Sequence, residues 1–172
     1  CVQAWHNRIS AVWARTIKEN LPKGGKVALM IWGDPSLYDS SLRIAEKLRL
    51  CISDLEINVI PGVTAIQLLT AAHKIPLNNL GEPIILTTGR QLRKKGWPIN
   101  CETLVVMLDG ETSFDQLDGQ NFSIWWGAFL GMPNQILISG RLDESCKKIK
   151  KARQIARNKH GWIMDTYLLR KI

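Results

Sequence analysis

The feature that most restricts how this chain can fold is a strand, loop and helix pattern written twice in its first half. Val27 to Trp32 is an unbroken apolar run of strand length that stops at Gly33-Asp34-Pro35, and a helical pattern follows from about Tyr38 to Leu48. Leu55 to Ile60 then stops at Pro61-Gly62, and a second helical stretch runs to about His73, with Thr64 and Gln67 at capping-box spacing. Continuous apolar runs bounded by turn residues read as strands covered on both faces of a parallel sheet. Such a sheet has right-handed crossovers, and its ligands collect beyond the carboxyl ends of the strands. The loops Gly33-Asp34-Pro35-Ser36 and Pro61-Gly62-Val63-Thr64 are therefore expected on one rim.

The flanking segments extend this pattern. Trp5, Ile9, Val12, Trp13, Thr16 and Ile17 recur at helical spacing until Leu21-Pro22-Lys23-Gly24-Gly25 breaks it, which predicts an opening helix. Past Pro76-Leu77-Asn78-Asn79 the composition turns loop-like, and a domain boundary is expected near Asn79. Strands are expected from Pro83 to Thr88, Leu104 to Leu108, Ile124 to Trp126 and Ile136 to Ile138, with a helical segment around Ser113 to Leu117. Leu142, Cys146, Ile149, Ala152 and Ala156 form the apolar stripe of a closing helix.

Composition narrows the function classes. The chain has 172 residues, 45% of them apolar and 22% charged, which is ordinary for a globular fold and argues against disorder. No apolar run approaches the roughly 18 to 20 residues of a bilayer span, and no signal peptide is evident. The four cysteines, Cys1, Cys51, Cys101 and Cys146, lack CxxC spacing, so no metal site is expected and a reduced, cytoplasmic protein is the simplest expectation. A net charge of +8 attracts polyanions, whether nucleic acid, anionic lipid or a polycarboxylate. The basic helix from Lys147 to Lys159 is the strongest argument for a nucleic-acid module, although its apolar stripe equally fits docking on a sheet.

Several residues have both a chemical and a structural reading. Gly33 would let a ligand approach the backbone and Asp34 would accept its hydrogen bonds, or the pair is simply turn chemistry. Tyr38 and Asp39 could orient a substrate and take a proton, yet Asp39 also suits a helix cap. His73, near a helix end, fits the helix dipole or proton transfer. Asp109 and Glu111 follow a strand, where ligands of α/β proteins gather, or they serve a turn. Trp125-Trp126 could stack on a flat ligand or fill the core. Arg90, Arg93, Lys94 and Lys95 form a loop cluster able to pair with carboxylates or remain solvated.

Taken in order, Ile31-Trp32-Gly33-Asp34-Pro35-Ser36-Leu37-Tyr38-Asp39-Ser40 and Val59-Ile60-Pro61-Gly62-Val63-Thr64-Ala65 resemble two signature segments of the tetrapyrrole (corrin/porphyrin) methylases. Ile75-Pro76-Leu77-Asn78, Gly81-Glu82-Pro83, Thr87-Thr88-Gly89-Arg90, Val106-Met107-Leu108-Asp109-Gly110 and Gly161-Trp162-Ile163-Met164-Asp165-Thr166-Tyr167-Leu168 resemble the precorrin-6A synthase branch of that family. The resemblance implies an α/β, two-domain fold: a partial N-terminal parallel-sheet domain over 1–79 and a C-terminal mixed-sheet α/β domain over 80–172. It implies S-adenosyl-L-methionine as cofactor and an anionic precorrin, precorrin-5, as substrate, methylated at carbon C1 with release of acetate. By matching position, Trp32, Gly33, Asp34, Thr64, Ala65, Leu108 and Gln135 would line the cofactor pocket. Arg43, Arg90 and Arg93 would hold substrate carboxylates, and Tyr38, Asp39, Asp109, Glu111 or His73 would assist deacetylation. Homodimer pairing is implied, with neither nucleic acid nor membrane as a partner. Other readings are methylation of another tetrapyrrole position, or a non-catalytic basic remnant. Nothing in Cys1 to Lys26 resembles the family's opening strand and glycine-rich loop, so the expectation is an N-terminally truncated member.

Overall fold

The computed structural model describes residues 2–172; Cys1, one of the four cysteines considered above, lies outside the described residues. The chain forms two compact units, Cys1–Thr64 and Ala65–Ile172. The division precedes the Pro76–Asn79 link because helix α3 (Ala65–His73) packs against strands of the second unit.

In the first unit, α1 (Val2–Asn20) packs on α2 (Ser41–Leu48). The opening helix forms as its periodicity predicts, but in a different rotational phase. His6, Ser10 and Ala14 are the buried positions, while Trp5 and Val12 of the expected apolar stripe are exposed. Small side chains at the contact let two helices approach closely, and interhelical distance depends on them. His6 Nε2 lies 3.0 Å from Ser40 Oγ just before α2, and Lys47 Nζ donates to Asn7 Oδ1 at 2.6 Å.

The segments 27–32 and 55–60 are the main departure from expectation. Neither is paired in a ladder, and Met30 is 99% exposed and Trp32 72% exposed. A strand is defined by its hydrogen-bonded neighbour, and every ladder among the described residues belongs to the second unit. The expected parallel sheet of the first half is thus replaced here by irregular backbone between helices.

The second unit is built on one mixed sheet of five strands: β1 (Ile84–Thr88), β2 (Thr103–Met107), β3 (Phe122–Ala128), β4 (Ile136–Arg141) and β5 (Asp165–Lys171), in the order β1-β2-β5-β3-β4. β1 and β2 run parallel, whereas β5 runs antiparallel to both β2 and β3, and β3 is antiparallel to β4. The unit therefore has the α/β, mixed-sheet character expected of it. Its centre, β5, was not anticipated as a strand. The residues expected as a basic loop instead form a short helix, α4 (Gly89–Lys95), whose N-cap Thr88 accepts from the Gln91 amide through its side chain at 3.3 Å. The closing helix α5 (Leu142–His160) buries Leu142, Ser145, Ile149, Arg153 and Ala156, close to the predicted stripe.

The core lies between this sheet and its helices. Leu104, Val106, Ile124, Trp126, Tyr167 and Leu169 supply strand residues, and Leu142 and Ile149 reach them from α5. Trp125, on the alternate face, has the Arg170 guanidinium 5.3 Å above its ring. No helix among the described residues is long and apolar enough to cross a membrane.

Candidate functional site

In the first unit the two expected loops meet. Gly62 N–H donates to Asp34 Oδ2 at 2.9 Å, and Ser36 N–H donates to Asp34 Oδ1 at 2.8 Å, joined by the Ser36 hydroxyl. The approach is at backbone distance: a Cβ on Gly62 would fall 2.1 Å from the Gly33 carbonyl oxygen. Gly33 itself sits at φ +85°, where a side chain would be strained. The Ser36 hydroxyl, then the Gly62 and Ser36 amides, hold the Asp34 carboxyl below its ordinary range. The result is an anionic, glycine-lined cradle. A carboxylate offers about four lone-pair positions, so Asp34 Oδ2 keeps capacity for one more donor.

Trp32 is exposed beside this cradle in sequence, and Thr64 closes the second loop before Ala65 begins α3. Tyr38 is also exposed, at φ +50°, and partial burial pushes its phenol up. Asp39 is engaged locally: its Oδ1 accepts from the Ser41 amide at 2.6 Å, and its carbonyl accepts from Arg43 at 2.6 Å. The bond to Ser41 is a local turn just before α2; the N-cap is Ser40, which makes no side-chain cap bond, so Asp39 is not the helix cap that its position suggested.

In the second unit, His73 ends α3 with Nε2 3.0 Å from the Trp126 carbonyl oxygen. Arg90 is exposed on α4. Gln135 is exposed and accepts from the Gly131 amide through Oε1 at 2.9 Å, closing the turn between β3 and β4. Leu108, the first residue after β2, is 63% exposed at φ +53°.

Three other expected residues, Arg93, Asp109 and Glu111, are brought together at the end of β2. Arg93 Nη1 lies 3.1 Å from Asp109 Oδ1, and its Nη2 lies 3.3 Å from Glu111 Oε1. Asp109 is 4% exposed and its carboxylate takes further hydrogen bonds from the Tyr167 hydroxyl at 2.6 Å, the Ser113 amide at 2.6 Å and the Glu111 amide at 3.2 Å. The Ser113 hydroxyl, 2.7 Å from Oδ1, shares its one proton with the Gly89 carbonyl at 2.9 Å. Burial raises the Asp109 carboxyl, but bonds from Tyr167 and Ser113 outweigh it and leave the group below its ordinary range. Burial, reinforced by the same contact, pushes the Tyr167 phenol well up.

A second buried pair lies nearby in the network. Arg153 Nη2 donates to the Asp109 carbonyl at 2.7 Å, and Arg153 Nε lies 2.8 Å from Asp165 Oδ2 as an ion pair rather than an aligned hydrogen bond. Trp126 Nε1 donates to the same Asp165 oxygen at 2.7 Å. Sequence reasoning missed Tyr167, Ser113 and Arg153. Their signal is weak, since each is far from Asp109 along the chain or hidden in a pattern explained by other means. No cluster of metal-ligating side chains occurs among the described residues.

The family model for Tetrapyrrole (Corrin/Porphyrin) Methylases matches residues 3–146. A precorrin-6A synthase (deacetylating) of Sinorhizobium sp is 44% identical over 171 residues, covering 99% of this chain and 65% of the relative, so the chain spans less than two thirds of that protein's length. The crystal structure of a cobalamin synthesis related protein (CobF) from Corynebacterium diphtheriae superimposes with a TM-score of 0.87 at 46% identity, covering 99% of this chain and 71% of that one. A uroporphyrin-III C-methyltransferase from Thermus thermophilus, complexed with S-adenyl homocysteine, shares the fold at a TM-score of 0.56 and 16% identity, covering 91% of this chain and 70% of that one. A family match over most of the chain and close likeness along nearly all of it lead to one assignment: the chain belongs to the tetrapyrrole (corrin/porphyrin) methylases.

Proposed function

We propose that this chain provides the greater part of an S-adenosylmethionine-dependent C-methyltransferase that methylates C1 of precorrin-5 and releases acetate to give precorrin-6A. The observation that carries this reading is 44% identity to a precorrin-6A synthase along 99% of the chain. The residues of the first unit fit the cofactor's chemistry. An anionic Asp34 with a free acceptor position, set beside two glycines whose backbones pack on each other, suits an ammonium or ribose hydroxyl donor. When bound, S-adenosylmethionine supplies an electrophilic methyl on a cationic sulfur. In this reading Trp32, Gly33, Asp34 and Thr64 of the first unit are cofactor contacts, as are Ala65, Leu108 and Gln135 of the second.

The protein's task is then positioning. Methyl transfer to a ring carbon needs nucleophile, methyl and leaving sulfur in line, and orientation supplies much of the acceleration. Arg43 and Arg90 would hold the substrate's carboxylates, consistent with the net charge of +8, whereas Arg93 is already paired with Asp109 and Glu111. Acetate release requires water to attack the acetyl carbonyl while a base accepts its proton. Asp109 is committed to backbone and side-chain donors, and the Tyr38 phenol, pushed up by partial burial, keeps its proton, which favours Asp39, Glu111 or His73 for that role. A cytoplasmic location and homodimer pairing belong to the same reading.

The test is calorimetric titration of S-adenosylhomocysteine into this chain and into one extended upstream, followed by product analysis with precorrin-5. Binding, and a product that gains one methyl and loses one acetyl, are expected of the extended chain. A folded extended chain that does not bind overturns the methyltransferase reading. A methyl at another ring position overturns only the substrate assignment.

A further inference from the structure

The turn after β2 is held in an unfavourable conformation at both ends. Leu108 has φ +53° and Thr112 has φ +54°, both in the left-handed region that non-glycine residues avoid. Such residues persist only where their surroundings over-determine them, and strain of this kind marks sites where backbone geometry matters. The surroundings here are the Asp109 carboxylate. Its two oxygens receive the Glu111 and Ser113 amides from within the turn, the Tyr167 hydroxyl from β5 and Arg93 from α4. Arg153 of α5 fixes the Asp109 carbonyl as well. Below the carboxylate there is no room to relax, since a Cβ on Gly89 would lie 2.2 Å from Asp109 Oδ1.

With these donors a carboxylate's roughly four lone-pair positions are filled, so none is left to accept a proton from a water or substrate. Yet the residue just before it, Leu108, is thrust outward and exposed by the strained backbone. We propose that Asp109 is a positioning residue, not a base: its carboxylate latches the 108–112 turn so that Leu108 is presented in the one backbone conformation that receives the cofactor. The latch joins β2, β5 and α4, so ligand affinity is coupled to three elements of the second unit. This inference rests on the methyltransferase reading for the identity of the ligand.

The test is a double-mutant cycle read by calorimetry with S-adenosylhomocysteine, in whichever form of the chain binds it. Asp109→Asn weakens binding about ten-fold when Leu108 is present, the factor expected if the turn must regain one left-handed residue on binding. Leu108→Gly removes that penalty, because glycine enters the left-handed region freely. In the Leu108→Gly background Asp109→Asn therefore costs less than about two-fold. Should Asp109→Asn not fold, Tyr167→Phe, which deletes one donor and keeps the carboxylate, shows a smaller loss with the same dependence on Leu108. Hydrogen exchange of the Glu111 and Ser113 amides without ligand supplies a second readout, and both lose protection in Asp109→Asn. An equal loss of affinity in both backgrounds, or no loss in either, overturns the positioning role. Absence of binding by the folded unmutated protein overturns the methyltransferase reading first, and unchanged amide exchange in Asp109→Asn overturns the latch independently.

Discussion

Replacing Arg153 by Met tests how the second unit tolerates its buried charges. The side chains of Arg153 and Asp165 are only 10% and 6% exposed, and Arg153 Nε lies 2.8 Å from Asp165 Oδ2. Methionine keeps much of the stem's volume but removes the charge, leaving the carboxylate with the Trp126 indole as its remaining neutral donor. Removing one partner of a buried pair typically costs about 3–5 kcal/mol, and the retained indole bond argues for the lower end, about 3 kcal/mol at neutral pH. The sign of the pH dependence follows from Asp165. Burial pushes its carboxyl up despite the opposing Arg153 charge, so the ionised form already penalises the folded state above the unfolded pKa. Losing Arg153 raises the folded pKa further. The destabilisation is therefore greatest at neutral and alkaline pH and shrinks on acidification, as Asp165 takes up a proton. Urea unfolding of both proteins at several pH values between about 5 and 8 measures this. A cost below about 1 kcal/mol, or one independent of pH, would show that the pair is not buried as described.

Three further perturbations address other parts of the structure. Gly89→Ala should destabilise by about 1–3 kcal/mol in urea unfolding, because the new methyl meets a carboxylate that five donors prevent from moving; unchanged stability would contradict that packing. The stability advantage of the native protein over Asp109→Asn should be full above the unfolded carboxyl pKa of about 3.9 and fade as pH falls through the lower folded value, measured by thermal melts in acid. Alkylation followed by mass spectrometry at neutral pH should modify exposed Cys51 well before Cys146, whose thiol burial and Asp115 push up to about 11.

Much of this architecture can be read from local pattern, for reasons that differ by element. Strands β1 to β4 and helices α3 and α5 follow short apolar runs or 3.6-residue stripes, and β2 and α5 bury them most fully. β5 escaped because Trp162-Ile163-Met164 runs into it without a breaker, so its start has no sequence mark. α4 is one short capped segment opening on glycine and carrying four basic residues, a composition that also suits a loop. In the first unit, apolar runs suggested strands, but a run can state only that a segment prefers extended backbone. Pairing depends on a neighbour that local sequence does not contain. The Gly33 and Gly62 loops were legible as partners because both end apolar runs of the same kind. The Asp109 network was half legible: a carboxylate after a strand can be seen, but its Tyr167 donor is 58 positions away.

The position of β5 bears on how the chain is made. It lies between β2 and β3, joining the β1-β2 pair to the β3-β4 pair, yet it emerges from the ribosome after all four. During synthesis both half-sheets wait with open edges where β5 will sit, while α5 is already available to cover apolar side chains. Exposed edges of this kind recruit foreign strands. A stalled chain ending before Asp165 would therefore be a natural client for chaperones. Translation speed near that point, rather than final stability, would set how much of the protein reaches its native form.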